Sequence, residues 1–548
     1  MKVISIWWIL VVVILIYGSL MISASDIVHS DNKIPKKPGC TNKFVLVKVQ
    51  LWVDGEERDE MVGLGAQFGA TLVAKKKNAS RSKLVLSDPF ELCSQPKNQI
   101  SGDVALVKRG HCEFTTKAKL AQDAGASAVL IVNTKKELFK MGCGKDDMAL
   151  QISIHTVMLP QDAGQILEKA LRDNSSVELQ LYSPERPLID VAELLLWFLA
   201  VGTIIGASYW SAWSAREASI ELDKILKDAP DDYVNTDDTS SSGVVDISAL
   251  AAVVFVVCAS CFLLFLYKFM SNFVIICLVI LFCMGGIEGL QTCLVAVLYR
   301  WFKNAGDSFI QIPYLGAISH LTLGVSPFCA AFAVVWAVNR DSSFAWIGQD
   351  ILGITLIVTI LQIVRVPNLK VGCILLGCAF LYDVFWVFTS KEIFNQSVMI
   401  VVAHGGKSKA DGIPMLLKIP RINDPWHGYS VVGFGDIILP GLVIAFSLRY
   451  DWLSNKSFRA GYFVWAMTAY GLGLLLTYVA LTFMDEHGQP ALLYISPLTL
   501  GSLLILGKMR GELEILWDRG EPYRACPHMH LHTEQMCGNE GCECTKSE

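Results

Sequence analysis

The residues best able to do chemistry in this 548-residue chain are two aspartates placed where a bilayer should not tolerate them. Asp383 lies in the run Leu381-Tyr382-Asp383-Val384-Phe385-Trp386, and Asp436 in Gly433-Phe434-Gly435-Asp436-Ile437-Ile438-Leu439-Pro440-Gly441. Each stretch is apolar and long enough to belong to a membrane-spanning helix. An ionisable group at that depth costs several kcal/mol, about 2.5–3.5 on insertion scales, so two such groups point to a use. Two carboxyls at close range do not both ionise readily and share one proton. The ionised member can take a proton from water while the protonated member donates to a peptide carbonyl. The roles reverse as the tetrahedral intermediate collapses. Such a pair titrates as a unit, so neither residue is assigned as the acid or the base. The chemistry calls for no metal, no cofactor and no covalent intermediate.

The flanks suit such a site. Gly433 and Gly435 remove side-chain bulk and permit unusual backbone beside Asp436. Pro440 weakens the following helical turn, and Tyr382 supplies a hydroxyl beside Asp383. Intramembrane aspartates alone also fit two other readings: hydrogen-bonded pairing of helices, or the ion path of a proton-coupled transporter or leak channel. A third element, Gln489-Pro490-Ala491-Leu492 after Asp485-Glu486-His487-Gly488, opens the last apolar run.

The chain that positions these residues is 53% hydrophobic and 18% charged, which is a polytopic membrane protein with a soluble part. Its net charge of −5 and lack of a basic arm exclude nucleic acid as a partner. Lys2, an apolar run from Ile4 to Tyr17 and the small residues Ser23, Ala24 and Ser25 have the layout of a signal peptide over residues 1–25. Residues 26–187 have globular composition. Gly102–Lys108 reads as a strand, Phe114–Ala124 as a helix stopped by Gly125, and Ala128–Val132 as a strand, a parallel βαβ element. Cys40, Cys93, Cys112 and Cys143 form an even set in this exported segment, permitting two disulfides in three pairings. For Cys112 beside His111, that reading outweighs a Cys-His nucleophile. Sequons at Asn78 and Asn174 mark glycosylation sites in the same region.

From residue 188 to 510 nine apolar spans follow, near 189–211, 245–267, 271–299, 312–338, 344–364, 371–391, 430–449, 460–483 and 489–507. A mobile polar linker is expected over 213–243. With the signal removed the globular domain is lumenal, and nine spans leave the tail, 511–548, in the cytosol. Arg300, Lys303, Arg365, Lys370, Lys508 and Arg510 agree with that orientation, whereas Lys407, Lys409, Lys418 and Arg421 fall on the lumenal side. Glu288, His320 and Asp350 read as helix–helix hydrogen-bonding groups, or as groups near a cavity or interface. The tail's Cys526, His528, His530, His532, Cys537, Cys542 and Cys544 match no standard zinc spacing, so no metal site is assigned.

Taken together, Leu381-Tyr382-Asp383, Gly433–Asp436 and Gln489–Leu492, in order on the sixth, seventh and ninth spans, resemble the intramembrane aspartyl proteases of the GxGD type. That group contains presenilin and signal peptide peptidase. The globular region is similar to a protease-associated (PA) domain, which narrows the resemblance to the signal-peptide-peptidase-like proteins. Gly412–Arg421 followed by Asp424-Pro425-Trp426 looks most like plant members. The resemblance implies a presenilin-like bundle of nine helices around a watery cavity, with a lumenal α/β PA domain. It implies Asp383 and Asp436 as the catalytic pair. Tyr382, Gly433, Gly435, Gln489, Pro490, Ala491 and Leu492 would line the substrate site. The partners it implies are type II single-span substrates and the lipid bilayer, with a second copy of the chain as a candidate and no obligatory partner subunit. It places the chain in the endomembrane system, at the endosome or vacuole.

Overall fold

The structure, a computed structural model, describes residues 39–136, 138–144, 151–185, 187, 190–228, 245–269, 271–299, 301–302, 309–312, 316–340, 342, 344–394, 397–403, 413–422, 424–426, 428–483 and 489–520. The expected signal peptide, the Cys/His tail and Asp485–Gly488 lie outside these residues. Two compact units emerge. One runs to Ala192 and takes in Pro420–Ser430; the other comprises Glu193–Ile419 and the chain from Val431.

In the first unit seven strands close into a barrel, β1 (Leu46–Val53), β2 (Glu56–Gly65), β3 (Arg81–Leu86), β4 (Val104–Lys108), β5 (Ala128–Val132), β6 (His155–Leu159) and β7 (Val177–Tyr182), in the order β1-β2-β6-β5-β4-β3-β7. Closure removes free strand edges. Asp54 and Gly55, at φ 52° and 87°, form the two-residue turn between β1 and β2. Val47, Val49 and Leu51 alternate inward to a core with Leu106, Leu130, Val157 and Leu179. The expected βαβ element is present: β4 and β5 pair in parallel from Val104↔Ala128 to Lys108↔Val132, joined by helix α1 (Phe114–Asp123). Ala118 and Ala121 of α1 face a second core with Val107 and Ile131, and Gly125 follows with φ 80°. Helix α2 (Gln161–Arg172) precedes β7. Disulfides join Cys40 to Cys143 and Cys93 to Cys112. His111 is exposed and pairs with Glu91 at 2.7 Å. Asn78 and Asn174 are both exposed.

The second unit is helical. Among the described residues, eight helices are long and apolar enough to cross a membrane. These are spans one (Val191–Glu221), two (Ala249–Phe269), three (Asn272–Tyr299), four (His320–Val338), five (Ala345–Ile363), six (Leu369–Phe394), eight (Phe463–Thr482) and nine (Leu492–Arg510). A further helix of 19 residues, Gly435–Leu453, is span seven; it carries Asp436, Arg449 and Asp451 and is buried along most of its length. Glycines allow close packing between helices. A Cβ on Gly289 of span three would lie 2.8 Å from the Leu356 amide nitrogen of span five, and one on Gly473 of span eight 2.8 Å from Ile495 Cα of span nine.

Several expected boundaries move. Span one continues as helix to Asp228, so the first half of the expected linker is ordered. The run Ala215–Asp228 is rich in Ala, Glu, Leu and Lys, which favour helix even where polar. Ile312 and Gly316–Ser319 belong not to span four but to two paired antiparallel strands, Phe309–Ile312 with Gly316–Ser319; Ser319 then caps the helix by accepting the Thr322 amide at 3.2 Å. Residues 430–433, expected inside span seven, belong to the strand β9 (Tyr429–Gly433), paired with β8 (Leu416–Pro420). β-Branched Val431 and Val432 suit a strand, and Gly433 ends it.

Candidate active site in the membrane unit

Asp383 sits late in the first part of span six, the α-helix Leu369–Val384, with 3% of its surface exposed. Directly after it the helix widens to a π turn over Phe385–Thr389 and resumes at Ser390–Phe394. A π turn inserts one residue and leaves backbone groups to be satisfied by other means. Here Ser390 Oγ donates to the Trp386 carbonyl at 2.5 Å, and the Val398 amide donates to Ser390 Oγ at 3.2 Å. Trp386 Nε1 donates to Ser260 Oγ of span two at 3.3 Å. Tyr382 packs against Trp386, its ring centroid 6.4 Å away, with its hydroxyl inside the field of Asp383.

Asp436 enters by another route. The β8–β9 hairpin ends at Gly433; Phe434 caps the helix and Asp436 lies in its first turn. That is a favourable place for negative charge. The Gly433 backbone lies beside the Asp436 carboxyl. Neither Gly433 nor Gly435 has a positive φ, so the expected unusual backbone is not their contribution. Gly433 is needed for proximity, since a Cβ there would stand 3.1 Å from Asp436 Oδ2. Gly435 is exposed, with no atom within 4 Å of where its Cβ would be, and offers free space next to the carboxyl.

The fold brings Asp383 and Asp436 together, close enough for their charges to interact. Span nine completes the arrangement. Its helix begins at Leu492, so Pro490 and Ala491 precede it, and the Leu493 amide returns to the Pro490 carbonyl at 3.2 Å. The Leu492 amide, one of the first-turn donors a helix leaves unused, donates instead to Asp383 Oδ2 at 3.1 Å. Pro490, Ala491 and Leu492 are buried, and Gln489 is half-buried beside them. Asp383 therefore receives one backbone N–H, and both aspartates stand among apolar helices.

Sequence reasoning missed two contributors. Tyr470 and Tyr478 of span eight lie in the field of Asp436, with buried hydroxyls that have no hydrogen-bond partner among the described residues. Their spacing of eight, two helical turns, was the available signal. Asp350, read as a helix–helix hydrogen-bonding group or a group near a cavity or interface, accepts the Lys418 amide of β8 at 2.9 Å. Nothing in the local sequence announces a strand against span five. Glu288 is exposed on span three.

Two family models match the chain: "Signal peptide peptidase" over residues 239–523, more than half of the chain, and "PA domain" over residues 69–167. The chain belongs to the signal peptide peptidase family. Members of this family are intramembrane proteases, and the matched segment contains both aspartates and the Pro490–Leu492 element. Signal peptide peptidase-like 2 of Arabidopsis thaliana is 63% identical over 94% of this chain and 95% of its own length. Signal peptide peptidase-like 5 of Oryza sativa subsp. japonica is 59% identical over 95% of this chain and 97% of its own. Similarity extends to signal peptide peptidase-like 2B of Rattus norvegicus, 34% identical over 78% and 74%. The family relation thus spans both the PA domain and the helical unit.

Proposed function

We propose that this protease is an aspartyl enzyme that cuts peptide bonds inside the membrane spans of type II single-span proteins. The observation that carries the reading is the meeting of Asp383 and Asp436 in an apolar bundle, with Asp383 held by the Leu492 amide and Asp436 beside the Gly433 backbone. One carboxylate takes a proton from water as the water attacks the scissile carbonyl carbon. The other carboxyl gives its proton to the carbonyl oxygen. On collapse of the tetrahedral intermediate one carboxyl gives its proton to the leaving amine while the other, now ionised, takes a proton from a gem-diol hydroxyl, so the pair is restored with its single shared proton. A substrate helix hides its carbonyls in the i→i−4 ladder, so the bond to be cut must first unwind. Gly435 leaves room for an unwound backbone next to Asp436.

The barrel is assigned to the lumen and the tail to the cytosol. Two disulfides suit an oxidising compartment, and the exposed sequons suit glycosylation there. The final membrane, endosomal or vacuolar, follows the family resemblance. The test is labelling of the purified protein with a transition-state-mimicking aspartyl-protease inhibitor carrying a photoreactive group. Wild-type labelling competed by a type II single-span substrate is expected. Absence of labelling, with proton or ion flux in vesicles, would favour the ion-path reading.

A further inference from the structure

Span five reaches the segment that leads into Asp436 at three residues. Gln349 Nε2 donates to the Leu416 carbonyl at 2.7 Å, and Asp350 Oδ1 accepts the Lys418 amide at 2.9 Å. Leu416 and Lys418 are alternate residues of β8, so these groups leave the same strand edge. The opposite edge pairs with β9. One helical turn after Gln349, at Gly353, the side chain is absent and the Phe434 ring fills the space; a Cβ there would fall 2.5 Å from Phe434 Cζ. Phe434 also packs on Phe282 of span three, with ring centroids 6.1 Å apart. Span five therefore grips the strand that enters the hairpin and the residue from which Asp436's helix starts.

Stability does not explain these residues. Asp350 is 5% exposed, and its Oδ2 is buried with no hydrogen-bond partner among the described residues. A buried, half-satisfied carboxyl is worse for stability than an apolar side chain of similar size. What the aspartate supplies is one directed acceptor on a strand edge.

We propose that Gln349, Asp350 and Gly353 are positioning residues: they fix β8 and Phe434, and through them set Asp436 opposite Asp383. The proposal rests on the reading of the two aspartates as the catalytic pair. Asp350→Leu removes the acceptor, whereas Asp350→Asn keeps it. With the purified full-length protein, Asp350→Leu is expected to lower kcat about tenfold or more on a single-span substrate with KM nearly unchanged, and Asp350→Asn to recover kcat to within about threefold of wild type. Amide hydrogen exchange at Leu416–Lys418, measured without substrate, should quicken in Asp350→Leu and stay slow in Asp350→Asn. Gly353→Ala, which displaces only the Phe434 ring, is the second variant should Asp350→Leu fail to accumulate; it should lower kcat and leave that exchange slow.

Wild-type kcat in Asp350→Leu, or in Gly353→Ala where that variant stands in, overturns the proposal. So does unchanged exchange in Asp350→Leu, or an Asp350→Asn as inactive as Asp350→Leu, since the acceptor would then not be what matters. Failure of the underlying reading looks different: Asp383→Asn would keep cleaving, while the exchange data would still report whether span five holds the strand.

Discussion

Spans six and seven each deliver one aspartate, and they do so by opposite means. In span six the helix is already under way when Asp383 arrives, and the regular ladder is given up just after it, at the π turn Phe385–Thr389. In span seven the irregular part comes first: a strand, Gly433 and the Phe434 cap, and then Asp436 in the opening turn of a helix that runs unbroken to Leu453. The amide that serves Asp383 comes from a distant part of the chain, Leu492, whereas the backbone beside Asp436 is that of Gly433, three residues upstream. Their surroundings differ in the same sense. Span seven is polar at its far end, where Arg449 donates to Ser211 Oγ at 3.2 Å and to the Val366 carbonyl at 3.0 Å. Asp451 there accepts the Tyr462 and Phe463 amides at the head of span eight. A carboxyl can thus be held in an apolar bundle either by breaking a helix or by starting one.

The largest expected effect tests whether these unlike seats do one job. Asp383→Asn and Asp436→Asn should each lower cleavage by about 10³-fold or more, and the double variant should be no worse than either, because paired groups act as a unit. Rates on purified protein, with membrane insertion checked by resistance to alkaline extraction, measure this. Substantial cleavage by either single variant would break the equivalence.

A smaller effect separates the two glycines of span seven. Gly433→Ala places a methyl 3.1 Å from Asp436 Oδ2, and kcat should fall about tenfold as the carboxyl is displaced. Gly435→Ala enters open space, so kcat should change less than about threefold while KM rises where the substrate backbone loses room. A split of kcat and KM in the reverse sense would place the substrate on the Gly433 side.

The smallest effect concerns the far end of span seven. Asp451→Ala leaves the first amides of span eight without their acceptor, at an expected cost of about 1–3 kcal/mol. The thermal unfolding midpoint should drop, with kcat of the remaining folded enzyme close to wild type. A large loss of kcat at unchanged stability would mean that this end of span seven communicates with Asp436.

Most of what carries function here could be read locally. Apolar length marks a span whatever surrounds it, because the bilayer sets the requirement. Asp383 and Asp436 stood out because burial of a carboxyl in such a run is unfavourable by itself. The βαβ element of the barrel followed from short-range alternation and the glycine after Ala124. The boundaries that moved share another cause. Tyr429–Gly433 and Gly316–Ser319 are apolar enough to pass as helix, and only pairing with Leu416–Pro420 and Phe309–Ile312 makes them strands.

By itself, then, the chain determined the order of its apolar spans, the two carboxyls and their motif company, because each of these is written in neighbouring residues. Tertiary structure decided which amide holds Asp383, where span six loosens, and that Gln349, Asp350 and Gly353 close on the hairpin before Asp436. Leu492 is 109 residues from Asp383, and Lys418 is 68 from Asp350. Backbone donors carry no residue identity and strand edges no fixed partner, so contacts of that kind are chosen only when the helices pack.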